Sequence, residues 1–92
     1  MTIQQHEENN KGEFYIEVDG QKAAQMTYVY AGESRMIIDH TDVGSALRGK
    51  GAGKLLVDAA VKFARAKNLK IIPLCPFAKS VFEKTPEYDD VI

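Results

Sequence analysis

The sequence has no tryptophan, one cysteine (Cys75), two histidines (His6 and His40) and three prolines among its 92 residues. A lone cysteine excludes an intrachain disulfide and suits a reducing compartment, so a cytoplasmic setting is expected. Three potential zinc ligands at scattered positions are too few for a structural zinc site, and no metal is expected. No apolar run approaches the roughly 20 residues that cross a bilayer, so no membrane partner is expected. The opening Met1-Thr2-Ile3-Gln4-Gln5-His6-Glu7-Glu8 is polar and lacks the apolar stretch of a secretory leader. The length allows one domain with one modest core over residues 1–92, in which 1–12 form a flexible tail or a short edge strand. With 45% hydrophobic and 27% charged residues, the composition is that of a folded chain rather than a disordered one.

The net charge of −1 conceals a cancellation. Residues 1–47 carry −5, residues 48–84 carry +7, and the last eight carry −3. Segregation of this kind points to an anionic ligand on the second half, or to a solvated basic helix face.

Alternation predicts strands first. Phe14, Ile16 and Val18 fall on one face of a strand over 13–18, and Asp19-Gly20 is a two-residue hairpin signal. A second strand over 22–30 sets Ala24, Met26, Tyr28 and Tyr30 on one face, and Ala31-Gly32-Glu33-Ser34 makes the next turn. Residues 36–41 read as a third strand, more buried than the others. Asn9-Asn10-Lys11-Gly12 reads as a turn before all three. From Gly44 to Gly53 a loop holds Gly44, Gly49, Gly51 and Gly53. A helix is predicted over 52–67, with Leu55, Leu56, Ala59, Ala60, Phe63 and Ala64 on its apolar stripe and Asn68 at its C-cap. Residues 70–74 read as a short buried strand, which Pro73 ends or parts from its neighbour. Cys75-Pro76 opens a helix over 77–85, and 87–92 read as a tail. The expected fold class is α+β, a mixed and mostly antiparallel sheet in β-β-β-α-β-α order with helices packed on it.

The glycine loop carries the chemistry. In Arg48-Gly49-Lys50-Gly51-Ala52-Gly53-Lys54, glycines at alternate positions free the backbone to approach a ligand, and the following helix start offers unpaired N–H groups. Together with Arg48, Lys50 and Lys54, this makes a phosphate-binding geometry. Residues 44–50 match the first seven positions of a nucleotide P-loop, but Gly51 stands where a magnesium-binding Ser or Thr is required. Gly49, Gly51 and Gly53 are also misspaced for the dinucleotide motif.

Arg48-x-x-Gly51-x-Gly53, with Val43 ahead of it and Leu55-Leu56 behind, resembles the pyrophosphate loop of GNAT-type N-acetyltransferases. Ala78-x-x-Val81-Phe82-Glu83-Lys84 is similar to that family's later helix. The resemblance spans about residues 36–85. It is strongest to the very small GNAT-like subfamily, through His40-Thr41-Asp42-Val43, Arg48-Gly49-Lys50-Gly51 and Pro73-Leu74-Cys75-Pro76. The resemblance implies acetyl-CoA as ligand, its pyrophosphate cradled by the backbone of Arg48, Gly49, Lys50, Gly51, Ala52, Gly53 and Lys54. It further implies that the strand end His40, Thr41, Asp42 and Val43 pairs with the pantetheine arm, with Cys75 and Phe77 also against the cofactor.

Two side chains are catalytic candidates. Cys75 opens a helix, where the dipole and nearby cations favour a thiolate. By the resemblance, Cys75 stands where the family usually has Asn, and Phe82 where it has the Tyr that protonates the departing thiolate. Cys75 is then a replacement acid or an acyl-accepting nucleophile, unless it is simply a small buried residue at a strand end. His40 suits a base near neutral pH, or a hydrogen-bonded strand residue. Asp39 and Asp42 are weaker base candidates, and His6 is expected in solvent.

The leading expectation is transfer of an acetyl group from acetyl-CoA to a primary amine, with a protein lysine or N-terminus as a suitable acceptor. Direct linkage of strands by Asp19-Gly20 leaves no room there for the acceptor-binding helices of larger family members. The alternative is a non-catalytic CoA- or acyl-CoA-binding module, favoured by Phe82. Nucleic-acid binding is least favoured, because no aromatic platform accompanies the cations. A monomer or weak dimer is expected.

Overall fold

The computed structural model describes residues 1–92. Five strands form one sheet in sequence order: β1 (Gln4–Glu8), β2 (Lys11–Val18), β3 (Gln21–Ala31), β4 (Arg35–Val43) and β5 (Lys70–Pro73). The first four are an antiparallel meander, and β5 returns parallel to β4 after α1 (Ala52–Lys67). Helix α2 (Pro76–Lys84) and a 3₁₀ helix (Pro86–Val91) complete the chain. The mixed sheet and α+β class are as the sequence pattern predicts.

The turns follow from local chemistry. Asp19 (φ 52°) and Gly20 (φ 79°) both adopt the left-handed conformation that a tight two-residue hairpin requires. Asn68 ends α1 in the same conformation (φ 59°, ψ 44°), and its N–H reaches back to the carbonyls of Ala64 and Arg65. Pro73 is the last residue of β5. Residues 4–8 form an edge strand on β2, and the turn before β2 is only Asn9-Asn10, because Lys11 and Gly12 already pair with Glu8 and Glu7.

One face of the sheet is buried against both helices, which also touch each other. Phe14, Ile16, Ala24, Met26, Tyr28, Met36 and Ile38 supply that face. Tyr28 crosses over Gly12, and its hydroxyl donates to Glu7 Oε2 (2.6 Å) while accepting from Gln5 Nε2 (2.7 Å). The other face carries no helix.

Five expectations are corrected. Val18 is exposed at the hairpin end, past a bulge at Ala23 of β3, the residue skipped between the Ile16–Ala24 and Glu17–Lys22 pairs. Tyr30 is only half-buried. β4 is longer than predicted and no more buried than its neighbours, since only Met36 and Ile38 are enclosed. The buried stripe of α1 is Ala52, Gly53, Leu56, Val57, Ala60, Val61 and Ala64, while Leu55 is exposed and Phe63 half-buried. Residues 87–92 are no tail: Tyr88 and Val91 are buried, Tyr88 Oη donates to Asp58 Oδ1 (2.9 Å), and Arg65 pairs with Asp90 (2.8 Å).

Candidate functional site

The loop between β4 and α1 positions unpaired donors. Gly51 caps α1 in the left-handed conformation (φ 76°), and Gly49 shares it (φ 77°). Such a conformation costs an L-residue about 1–2 kcal/mol, which is the reason for glycine at these two positions. No side chain caps the helix, and no acidic residue lies in its first turn. The first helical bond runs from Leu55 N to Gly51 O, so the N–H groups of Ala52, Gly53 and Lys54 have no acceptor within the chain. Arg48, Lys50 and Lys54 are exposed, and none forms an ion pair. Partial positive charge from the helix end and full charge from these three side chains converge on one spot.

Gly53 serves another purpose. A Cβ there would lie 2.5 Å from Phe77 Cζ, so the glycine lets α2 bring its aromatic ring against the start of α1. Phe77 and the loop then bound a cleft of about 520 Å³. Thr41 and Val43 of β4 form one wall, and Arg48, Gly49, Gly51, Ala52, Gly53 and Lys54 form the floor and rim. Leu47 and Val81 line it as well and were missed from the sequence. Their signals were an isolated leucine inside a polar loop and the one-turn spacing of Val81 from Phe77. Of the predicted residues, Lys50, Asp42, His40 and Cys75 do not line this cleft.

The cleft continues into a split in the sheet. Pairing of β4 with β5 ends at Ile38 opposite Pro73, and Ile38 O then accepts from both Leu74 N (3.0 Å) and Cys75 N (3.2 Å). Beyond this fork β4 runs on to Val43 with a partner strand on one side only. A bulge sits at the same place: Tyr28 faces Ile38 and Thr27 faces His40, which makes Asp39 the extra residue. Thr27 Oγ1 donates to Asp39 Oδ1 at 2.6 Å.

Cys75 lies at the fork, buried, as the N-cap of α2. Its Sγ accepts from Ala78 N (3.4 Å) and donates to Thr41 Oγ1 (3.1 Å), joining the start of α2 to β4. Thr41 pairs with buried Met26 and so faces the helices. His40 pairs with Thr27 and is exposed on the opposite face, with Asp42. His40 and Cys75 are thus on opposite sides of the sheet at one fork. Phe82 is buried edge-on to Tyr88, with ring centroids 5.8 Å apart, and the Tyr88 hydroxyl is engaged with Asp58. His6 is exposed near Glu8 (3.7 Å).

A mixed sheet that opens between two parallel strands, beside a glycine loop feeding an uncapped helix, defines a transferase domain of the GNAT type. The model of the family described as "GCN5-related N-acetyl-transferase" matches residues 13–91, and the chain belongs to that family. A GCN5-like protein of Staphylococcus aureus, solved by NMR, is 42% identical with a TM-score of 0.74, covering 96% of this chain and 85% of that one. Protein NATD1 of Xenopus tropicalis is 27% identical over 86 residues, covering 92% of this chain and 79% of that protein. A streptothricin acetyltransferase of Bacillus anthracis, solved in complex with acetyl coenzyme A, shares the fold at 19% identity and a TM-score of 0.60, covering 72% of this chain and 38% of that one.

Proposed function

We propose that this chain transfers an acetyl group from acetyl-CoA to a primary amine. The observation that carries the reading is the alignment of the uncapped α1 N-terminus with the β4–β5 split. Three unpaired N–H groups and three unpaired cations suit a diphosphate, while Val43, Leu47, Phe77 and Val81 offer an apolar passage for the arm that follows it. Bound acetyl-CoA supplies an activated acyl group. The chain's own part is to hold the diphosphate at Gly51–Lys54 and to align the arm along the free edge of β4. It also presents Cys75 at the fork on one side of the sheet and His40 on the other. His40 is the proposed base for an ammonium acceptor, and Cys75 the proposed acid or acyl-accepting group. The proposed setting is the cytoplasm.

Calorimetric titration with CoA tests the cofactor site. Micromolar binding is expected, with loss of at least tenfold in Gly51→Val, because valine strains the left-handed cap and covers the donors. Unchanged binding in that variant overturns the reading. A second reading, a CoA-binding module without turnover, is favoured by the burial of Phe82 and the engagement of Tyr88. CoA release with a panel of amines separates the two, since tight binding without release supports the module.

A further inference from the structure

We infer that the helix-free face of the sheet docks a flexible, lysine-bearing protein segment and delivers its amine to the β4–β5 split. The inference rests on the transferase reading above and adds the surface and chemistry of the acceptor. Three observations carry it.

The first is the vacancy of the face itself. β1, β2, β3 and β4 follow one another through tight turns, so no helix crosses this side, and Gln25, Thr27, Val29 and Ile37 are only half-buried there. A shallow trough of about 370 Å³ runs across it, bounded by His6, Glu8, Glu13, Gln25, Thr27 and Asp39 among others.

The second is charge. Glu8, Glu13, Glu17, Asp39 and Asp42 project on this side, against Lys11, Lys22 and Arg35. Lys22 is already paired with Glu13 at 2.6 Å, and Arg35 stands at the far end of β4, outside the trough, whose charged lining is Glu8, Glu13 and Asp39 against Lys11. Of the eight carboxylates in residues 1–47, these five lie on the helix-free side, while Glu7 turns to Tyr28 and Asp19 and Glu33 sit in the turns. A second copy of this chain on the same face would set carboxylates against carboxylates, so a cationic partner is the complementary occupant. The trough is shallow and open, which leaves a small free amine largely in solvent. An extended segment spanning several carboxylates gains from each.

The third is continuity. The trough ends at Asp39, the bulged residue next to the fork at Ile38. Leu74, 63% exposed, hydrogen-bonds through its N–H to Ile38 and lies at the same fork. An exposed leucine on the β5 side of the fork and a carboxylate on its β3 side suit the methylene stem and the ammonium of lysine.

The test uses the full chain labelled with ¹⁵N and a short synthetic peptide of alternating lysine and glycine. Amide shifts are expected on Gln25, Thr27, Val29 and Asp39, with none for the peptide in which glutamate replaces lysine. The double variant Glu8→Lys/Glu17→Lys, far from the CoA cleft, is expected to weaken peptide binding about tenfold, as two exposed attractions become repulsions. Its affinity for CoA stays as in the parent chain, which also reports that it is folded. Asp39→Asn keeps an acceptor for Thr27 and is expected to weaken the lysine peptide alone. Shifts confined to α1 and α2, equal affinity for spermidine and peptide, or broadening of the sheet face by self-association each overturn the inference. Peptide binding without CoA binding removes the transferase reading and leaves the docking face. CoA binding without peptide binding does the reverse.

Discussion

Cys75 Sγ stands 3.1 Å from Thr41 Oγ1, bridging the first turn of α2 to the strand that β5 leaves behind. The same sulfur accepts from Ala78 N, so the thiol is a cap as well as the proposed acid or acyl-accepting group at the fork. These two roles separate by substitution. Cys75→Ser keeps a donor and an acceptor at the position, and the melting temperature is expected to hold or rise. Cys75→Ala removes the cap and costs about 1 kcal/mol, or roughly 4–8 °C in Tm for a domain of this size. Acetyl transfer is expected to fall about a hundredfold or more in both, because a serine hydroxyl replaces neither a thiol acid nor a thiolate nucleophile. Transfer at the parent rate in Cys75→Ser assigns the sulfur to capping alone.

The contact between Gly53 and Phe77 predicts a change in binding without a change in stability. Alanine in the first turn of a helix is favoured over glycine by up to about 1 kcal/mol. The obstructing atom is the tip of a ring that is 42% exposed and can swing aside. Gly53→Ala is therefore expected to melt within a few degrees of the parent, while the displaced ring narrows the cleft and weakens CoA binding several-fold. Combining it with Phe77→Ala, which removes the obstacle, is expected to cost less than the two single losses together. Strict additivity by calorimetry counts against the contact.

Asp19-Gly20, Asn68, Pro73 and Cys75-Pro76 each act through their own backbone preferences, and all four punctuate the chain where expected. The glycine loop was readable because its chemistry is local. The stripe of α1 is ambiguous in sequence because apolar residues occupy 55–57, 59–61 and 63–64, which allows two overlapping stripes; only packing against the sheet selects Val57 and Val61 over Leu55. The final turn has no local signal in sequence because its anchors, Asp58 and Arg65, lie more than twenty residues away. The face taken by His40 depends on a bulge at Asp39 that has no signature in composition.

Gly12 is expected to be the least replaceable glycine outside the loop. A Cβ there would stand 2.3 Å from Tyr28 Cζ, and that ring is fully buried with both hydroxyl partners engaged. Unlike Phe77, it has nowhere to go. Gly12→Ala is expected to destabilise the fold by about 1–3 kcal/mol, in the range of overpacked cores. CoA affinity measured well below the new melting temperature stays near the parent value, since β2 is remote from the cleft. A melting temperature unchanged by Gly12→Ala would mean that Tyr28 does not cross the strand as described.

The same hydroxyl cluster predicts how stability responds to base. Tyr28 and Tyr30 both donate to Glu7 Oε2. Burial first, and then the bond to Glu7, push the Tyr30 phenol up to about 12, and Tyr28 is raised by the same two causes. In the unfolded chain both phenols ionise near 10. The folded state therefore holds these protons more firmly than the unfolded state, and the resulting stability is complete below about pH 10. It is lost as the pH climbs from about 10 toward 12, where the unfolded chain releases protons that the native one retains. Thermal melts across this range are expected to show a falling Tm, and tyrosinate absorbance a late fraction that appears only with unfolding. Glu7→Gln removes the charge that holds the protons, so the late fraction moves to lower pH and the alkaline fall becomes shallower. An alkaline profile identical in Glu7→Gln and the parent would show that the charge of Glu7 does not hold these protons, and that burial and a hydrogen-bond acceptor at this position suffice.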